Sequence, residues 1–370
     1  MNPYNIINDG QIKIDQKLWA YLNDNHDKEY IKQLISNAIE ENNLDLPYRF
    51  LTIDDVESDF IKLCEFDTSV LLKEGSFLSR YPYKYSFLNQ YIDQSKIGNK
   101  ASDFFQQENR YLCDSINSPS PYRTWKNEKF RMTLLNCLWT LKFNEINNEV
   151  LRSAISLRKY ISSQFKPSVA KYIYDRFGGE NVLDFSSGWG DRLLGFYTST
   201  QTERYVGIDP NIKVIQKYYE QIDQYSKYGI VKPTLFINQP AEQVIFDNEE
   251  FDLIFTSPPY FDIERYTHET NQSWMKYKKF DDWMDSFLLK SISNFWPNLK
   301  SGGHLIINIS DVYCHHQVQR ICDRMNDFIS TLNNSHYVGA IGMKMAKRPC
   351  SKALQDGVFA EPMWVWEKGG

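Results

Sequence analysis

The residues best suited to chemistry sit where an apolar run stops. "FDLIFTSPPY" ends in Thr256, Ser257, Pro258, Pro259 and Tyr260. Proline has a fixed φ and no backbone N–H, and it holds the residue before it extended. Ser257 and Pro258 are therefore stiff, and a hydroxyl and a carbonyl are presented at a rigid tip. "VLDFSSGWGDRLLG" is a second candidate, with Asp184 closing an apolar stretch and Gly188 and Gly190 letting backbone approach a ligand closely. A third is Asp209 in "YVGIDP", 25 residues after Asp184, where a carboxylate can accept from both hydroxyls of a ribose. The residue three after Gly190 is Leu193, and an acid precedes the glycines, so Gly-x-Gly-x-x-Gly fails and a nicotinamide dinucleotide is disfavoured. The pattern asks for a ligand with a ribose and no pyrophosphate.

All three clusters stand at predicted strand ends. After Lys166 the chain alternates: "NVLDF", "RYVGIDP", "TLFIN" and "FDLIF" read as strands, with "DRLLGFYTST" and "NIKVIQKYYEQIDQYS" as helices between them. This predicts an open, mostly parallel sheet covered by helices, with ligands bound at the carboxyl ends of its strands. "FDDWMDSFLLKSISNFWPNLKSGG" reads as a helix closed by glycines, "HLIINIS" as a strand and "HQVQRICDRMNDFISTL" as a helix. "HYVGAIGMKM" and "EPMWVWEK" form a closing pair whose connection is too short for a crossover helix, so they run antiparallel. Upstream, "DQKLWAYLND", "KEYIKQLISNAIEEN", "TIDDVESDFIKL", "RMTLLNCLWTLKFN" and "NNEVLRSAISLRKYIS" have helical spacing, and Ser118–Pro121 marks a turn or linker. The expected organisation is an acidic helical arm over 1–75, a helical and irregular region over 76–150 and an α/β domain over 151–370.

With 370 residues the chain can bury more than one core. Its six cysteines are scattered without Cys-x-x-Cys, which suggests reduced intracellular thiols and no zinc ribbon. His315 and His316, read as lying on a helix beside Cys314 and Cys322, have the wrong spacing for a closed metal site, so no metal is expected. The start carries no leader pattern and no run is long enough to span a membrane, so a cytoplasmic protein without membrane partners is expected. The net charge of −5 is unevenly spread: residues 1–70 hold 14 acids against 6 bases, and the remainder 33 against 36. The acidity belongs to the arm, read as a solvated helical face.

"DFSSGWG", "GIDP" and "TSPPY", in that order, resemble the S-adenosylmethionine-dependent amino-methyltransferases that act on exocyclic amines of DNA bases. "FKPSVAKYIYDRF" is similar to the segment that precedes the cofactor loop in that family. The resemblance runs from Phe165 to Asp311, extends more weakly to the C-terminus and is absent before Phe165. It implies a Rossmann-like class I methyltransferase fold, a seven-stranded, mostly parallel sheet with an antiparallel last strand, behind a mainly helical N-terminal region. It also implies S-adenosylmethionine as cofactor. Phe165, Pro167, Asp184, Ser186, Gly188 and Gly190 would then lie at its methionine end and Asp209 at its ribose. The adenine contact falls among Asn238, Gln239 and Glu242, with Gln239 the position carried forward, and Ser257 adjoins the cofactor.

Under this resemblance the strand-end loop has a chemical purpose. An aminopurine or aminopyrimidine nitrogen is a poor nucleophile because its lone pair is delocalised into the ring. Ser257 Oγ and the Pro258 carbonyl, stiffened by Pro259, would accept its N–H groups while Tyr260 stacks on the base. The base must be unstacked or flipped to reach them. A serine in this place leans slightly toward N4 of cytosine over N6 of adenine. No cysteine nucleophile is needed, unlike methylation at a ring carbon.

Phe261, Lys276, Lys278 and Lys279 follow the loop as candidate substrate contacts, and Lys344, Lys347 and Arg348 join the last strands. "SRYPYKY" and "YRTWKNEKFR" are basic-aromatic clusters upstream, with Trp125 equally suited to core or stacking. No target-recognition region follows the catalytic half, so residues 76–125 are expected to contribute. Methylation of RNA or of a protein glutamine is the competing enzymatic reading, and a noncatalytic nucleic-acid-binding subunit the third.

Overall fold

The computed structural model describes residues 4–345 and 357–370; Lys347 and Arg348 lie outside them. The chain divides into two compact units, Met1–Phe50 with Gln107–Ser163, and Leu51–Gln106 with Gln164–Gly370. These boundaries differ from the expected breaks at 75/76 and 150/151, because residues 51–106 fold with the sheet.

The first unit is helical. Asp15 caps Gln16–Asn25 and Asp27 caps Lys28–Glu41, each through its side chain. Ser120 caps Pro121–Lys126, with Pro121 at the position where a missing N–H costs nothing. Leu22, Ile31, Ile35, Leu135, Ile146, Leu151 and Ile155 fill its core. Trp125 belongs to that core, 1% exposed with its indole N–H on the Leu44 carbonyl at 2.9 Å. Arg131 is buried against Ser36, Glu40 and the Trp125 carbonyl, and Arg123 pairs with Asp114. The upstream cluster "YRTWKNEKFR" is thus largely structural.

The second unit is built on one sheet of ten strands. In chain order these are β1 (Leu72–Glu74), β2 (Phe77–Leu78), β3 (Phe87–Ile92), β4 (Asn181–Asp184), β5 (Arg204–Ile208) and β6 (Thr234–Ile237). They continue as β7 (Phe251–Thr256), β8 (Leu299–Asn308), β9 (Ser335–Lys344) and β10 (Val358–Lys368). The spatial order is β1-β3-β9-β10-β8-β7-β4-β5-β6, with β2 pairing the start of β10. Strands β6, β5, β4, β7 and β8 are parallel. β10 runs antiparallel to both its neighbours, β8 and β9. This is the Rossmann-like arrangement with a reversed last strand inserted beside its predecessor. The expected seven strands are present, and the count among the described residues is corrected to ten because β3 and β1 extend the edge beyond β9 and β2 pairs with the start of β10. The sequence reads as irregular there because these strands are short and aromatic.

Two other elements differ from expectation. The helical run after Lys279 ends with the turn Trp296–Asn298, and Gly302 and Gly303 lie inside β8, where a bulge opens against Phe251 and Leu253. "HQVQRIC" is not helical. Val312–Cys314 and Gln317–Gln319 pair as a hairpin, with His315 (φ 50°) and His316 (φ 64°) at its tip, and the helix is only Cys322–Ile329. A two-residue turn needs left-handed geometry at both positions, and two histidines supply it at a cost. Replacing His316 with glycine should therefore raise stability by ~1 kcal/mol. Thermal unfolding checks this, and a lowered midpoint would contradict it.

Candidate functional site

The candidate residues stand at the carboxyl ends of β4, β5 and β7, and a buried ion pair organises them. Asp184, fully buried at the end of β4, receives Arg192 Nε at 2.7 Å and Nη2 at 3.2 Å. The Tyr205 hydroxyl donates to it at 2.9 Å, the Thr256 hydroxyl at 2.9 Å and the Ser186 N–H at 3.3 Å. One carboxylate thereby ties the loop after β4 to β5 and to the last residue of β7. Burial works against the Arg192 charge, but Asp184 outweighs it and holds the guanidinium pKa above its ordinary value. Asp184 was expected to lie at a ligand's methionine end; its carboxylate is turned inward and spent on the protein.

The loop that follows is shaped by left-handed backbone. Gly188 has φ 63° and Gly190 φ 75°. A side chain at Gly190 would run into the Gln221 amide, whereas one at Gly188 would touch Arg192 Nη2 and the Ser186 carbonyl at ordinary van der Waals distances of 3.7 and 3.8 Å. Gly188 carries its left-handed φ without crowding, while Gly190 starts the helix Asp191–Thr198 under close packing. Ser186 gives its carbonyl to Arg192. Phe165 lies under the Arg192 guanidinium, 5.4 Å from its ring centre, with its edge toward Phe255 at 5.8 Å. Pro167 is buried as the first residue of the helix Pro167–Phe177. Five residues expected around one ligand end, Phe165, Asp184, Ser186, Gly188 and Gly190, are therefore joined through Arg192 and its loop.

Asp209 ends β5 half-buried. Its Oδ1 accepts the Asn211 N–H at 2.9 Å and its Oδ2 the Gly188 N–H at 3.2 Å. Each oxygen keeps a lone pair for a further donor. Burial pushes its pKa up to about 7, helped by the nearby negative Asp184 and opposed by the two N–H bonds and Arg192. Of the three adenine candidates, Asn238 donates to the Asp209 carbonyl at 3.0 Å, Gln239 is exposed, and Glu242 is buried with Lys276 and Tyr277 upon it.

At the end of β7 the Ser257 hydroxyl donates to the Asn308 carbonyl at 3.1 Å, and the Tyr260 hydroxyl lies 3.4 Å from the same oxygen. Both proline peptides are trans. A hydroxyl has one proton, so Ser257 Oγ, having given it to Asn308, presents lone pairs outward. Burial, then Glu361, drives the Tyr260 pKa well above its ordinary value, so this residue stays protonated.

Phe261 is not a surface residue: it is 2% exposed, has φ 55° and packs among Phe280, Trp283 and His315. Left-handed geometry in a bulky residue is costly, and the aromatic cluster is what holds it. The segment after it crosses the strand ends. Tyr266 packs edge-on against Trp189 with ring centres 5.5 Å apart, Asn271 donates to the Pro210 carbonyl at 2.9 Å, and Lys276 reaches Glu242. Lys276, expected at a substrate, is committed to that ion pair. Lys278 lies over the Trp274 ring at 4.5 Å, and Lys279 is exposed. "SRYPYKY" does reach this end of the sheet: the Tyr83 hydroxyl accepts the Asp311 N–H at 3.3 Å, and Tyr81 lies against both Arg80 and Arg320.

Asn308, Arg192 and Glu361 were not singled out from sequence. Asn308 closes the apolar run "HLIIN" as Ser257 closes "FDLIFT", so the strand-end rule could have found it. A cleft of about 270 Å³ lined by Arg176, Asp252, Lys300 and His304 lies at the opposite ends of the strands, its Asp252–Lys300 charges paired at 2.8 Å. Among the described residues no cluster of His, Cys, Asp or Glu could hold a metal, and no helix is long and apolar enough to cross a membrane.

Residues 251–369 match the family model described as DNA methylase. The resemblance to the amino-methyltransferases is borne out over that segment, and methyltransferase chemistry is supported. No curated protein matches in sequence. Similar solved structures include the N-methyltransferase NodS from Bradyrhizobium japonicum WM9, at 14% identity and TM-score 0.36, covering 55% of this chain and 94% of that one. An rRNA methylase from Streptococcus thermophilus has 13% identity and TM-score 0.34, over 56% and 100%. A putative caffeoyl-CoA O-methyltransferase from Staphylococcus aureus has 14% and 0.37, over 60% and 91%.

Removing Asp184 strands the buried Arg192 charge. Asp184→Ala should cost about 3–5 kcal/mol, read as a lower urea midpoint, and pairing it with Arg192→Met should recover much of the loss. A single variant with the wild-type midpoint would contradict the role given to the pair.

Proposed function

On the premise that residues 251–369 carry the DNA methylase pattern, we propose that the chain transfers a methyl group from S-adenosylmethionine to an exocyclic amine of a DNA base, N4 of cytosine or N6 of adenine. One observation carries the reading: a glycine turn with the Asp209 carboxylate beside it and a rigid acceptor loop end neighbouring strands, and Ser186 of the turn and Thr256 before the loop both donate to Asp184.

The residues suit the cofactor. Asp209 retains acceptor capacity for two ribose hydroxyls, and Gly188, held on Asp209 through its N–H, presents backbone with no side chain between it and a ligand. When bound, S-adenosylmethionine supplies an electrophilic methyl on a sulfonium. Ser257 Oγ and the Pro258 carbonyl accept the N–H groups of the target amine, which turns its lone pair out of the ring plane and toward that methyl. Because Asn308 and the prolines hold both acceptors beforehand, no reorganisation is needed at the moment of reaction. Tyr260 offers a ring for the unstacked base, and Arg80, Tyr81 and Lys279 are suited to the strand that carries it.

Two outcomes follow. Ribose hydroxyls donate to the ionised Asp209. With a free-state pKa of about 7, cofactor affinity should rise about tenfold from pH 6 to pH 8 and then level off. Calorimetry checks this, and Asp209→Asn should bind weakly with no such slope; an equal slope in that variant would contradict the assignment. Ser257→Ala should keep cofactor affinity while radiolabelled methyl transfer to oligonucleotides falls ~10²-fold or more. Transfer at the wild-type rate, or transfer by the wild type only to RNA or protein, would overturn the reading.

A further inference from the structure

A hairpin stands beside the acceptor loop, and nothing above gives it a task. Strand β8 ends at Asn308, and the chain soon turns into the paired strands Val312–Cys314 and Gln317–Gln319. This ribbon is held at both ends. At its base the buried Asp311 carboxylate accepts the N–H groups of Ile321 and Cys322, each at 2.9 Å, and Arg320 Nη1 at 3.1 Å. At its tip His315 Nε2 lies 3.1 Å from Asp262 Oδ2, and the same ring packs on Phe261, the residue after Tyr260. The ribbon is thereby fixed next to the loop that offers Ser257 and Tyr260.

Its two faces differ. Val312, Cys314 and Gln319 are buried, whereas Tyr313 is 55% exposed and His316 and Gln317 are exposed. A ring held outward on an anchored strand offers contact area at little cost in side-chain freedom. A second platform lies at the base. The Arg80 and Arg320 guanidiniums stand 5.4 and 5.9 Å from the Tyr81 ring centre, and Arg320 Nη1 also reaches the Pro82 carbonyl at 3.3 Å. Arg80 is exposed and the Arg320 side chain half-exposed. The acids that touch these elements are met within the protein: Asp262 by Arg265 at 2.8 and 2.9 Å, Asp327 by Lys84, and Asp323 by the Lys84 N–H at 2.9 Å. Positive charge beside outward rings remains, and it fits an anionic chain bearing flat bases.

We propose that this hairpin and the Tyr81 platform at its base form the surface that holds the DNA strand next to the target base and reads the neighbouring nucleotides. The inference rests on the exocyclic-amine reading above. Tyr313 stacks on a neighbouring nucleotide, His316 and Gln317 carry hydrogen-bonding groups for base edges, and Arg80 and Arg320 take phosphates. A two-stranded ribbon is also an element that the major groove admits.

The test is binding, which needs no turnover. The full chain is titrated onto a fluorescent oligonucleotide at several salt concentrations, and a library with random flanks around cytosine and adenine is selected by binding and sequenced. Tyr313→Ala should melt as wild type and keep its cofactor affinity by calorimetry, yet bind the oligonucleotide about tenfold more weakly and select flanks with less preference. Tyr313→Phe, which keeps the ring, should restore most of the affinity. Arg80→Gln should bind all sequences more weakly and lower the slope of log affinity against log salt by about 1, and it serves as the reporter if Tyr313→Ala melts early. Wild-type affinity and flank preference in Tyr313→Ala, or a wild-type salt slope in Arg80→Gln, would overturn the proposal, as would tighter binding of RNA than of DNA of the same sequence. The expected binding changes in a chain that transfers no methyl group would overturn the amine reading and leave this surface standing.

Discussion

The buried pair of Asp184 and Arg192 is the constraint on which the site depends. Two charges removed from water are costly unless each is fully met, and here the carboxylate is met by Arg192, Tyr205, Thr256 and Ser186. Those partners come from the loop after β4, from β5 and from the end of β7. To satisfy one carboxylate, the sheet must hold the ends of β4 and β7 and the Tyr205 side chain of β5 in fixed register. The ion pair gains little stability over an apolar core; it specifies where the glycine turn and the acceptor loop stand relative to each other.

From that register the rest follows. The Gly188 N–H is held against Asp209, which ties the glycine turn to the residue that follows β5. Thr256 is anchored, so the prolines after it start from a known point and Ser257 meets Asn308 of the adjacent strand. The reversed β10 brings Glu361 to the Asn308 side chain, its Oε2 accepting Nδ2 at 3.4 Å. The segment from Phe261 to Lys279 is then drawn across the strand ends by Trp189, Pro210 and Glu242.

Much of this was legible because strand-end polar residues announce themselves where apolar runs stop. Asp184, Asp209 and Ser257 were found that way, and so was the alternation that yields the parallel sheet. What stayed hidden involves partners distant in sequence. Nothing local says that Asp184 faces Arg192 inward and not a ligand, or that Lys276 is claimed by Glu242. The strands of residues 72–92 escaped because β3 pairs with β9 and β2 with β10, strands that arrive some 250 or more residues later. The hairpin at His315 escaped because histidine is not a residue from which left-handed backbone is expected. Phe261 escaped for the same reason, its φ being imposed by the aromatic cluster around it.

The central claim is that this sheet edge directs a methyl group onto an exocyclic nitrogen. Its most direct test is nucleoside mass spectrometry of an oligonucleotide containing all four bases, incubated with the full chain and S-adenosylmethionine carrying a deuterated methyl group. The account predicts labelled N4-methylcytosine or N6-methyladenine. Label on C5 of cytosine or on a ribose oxygen, or no label in any nucleoside, would contradict it.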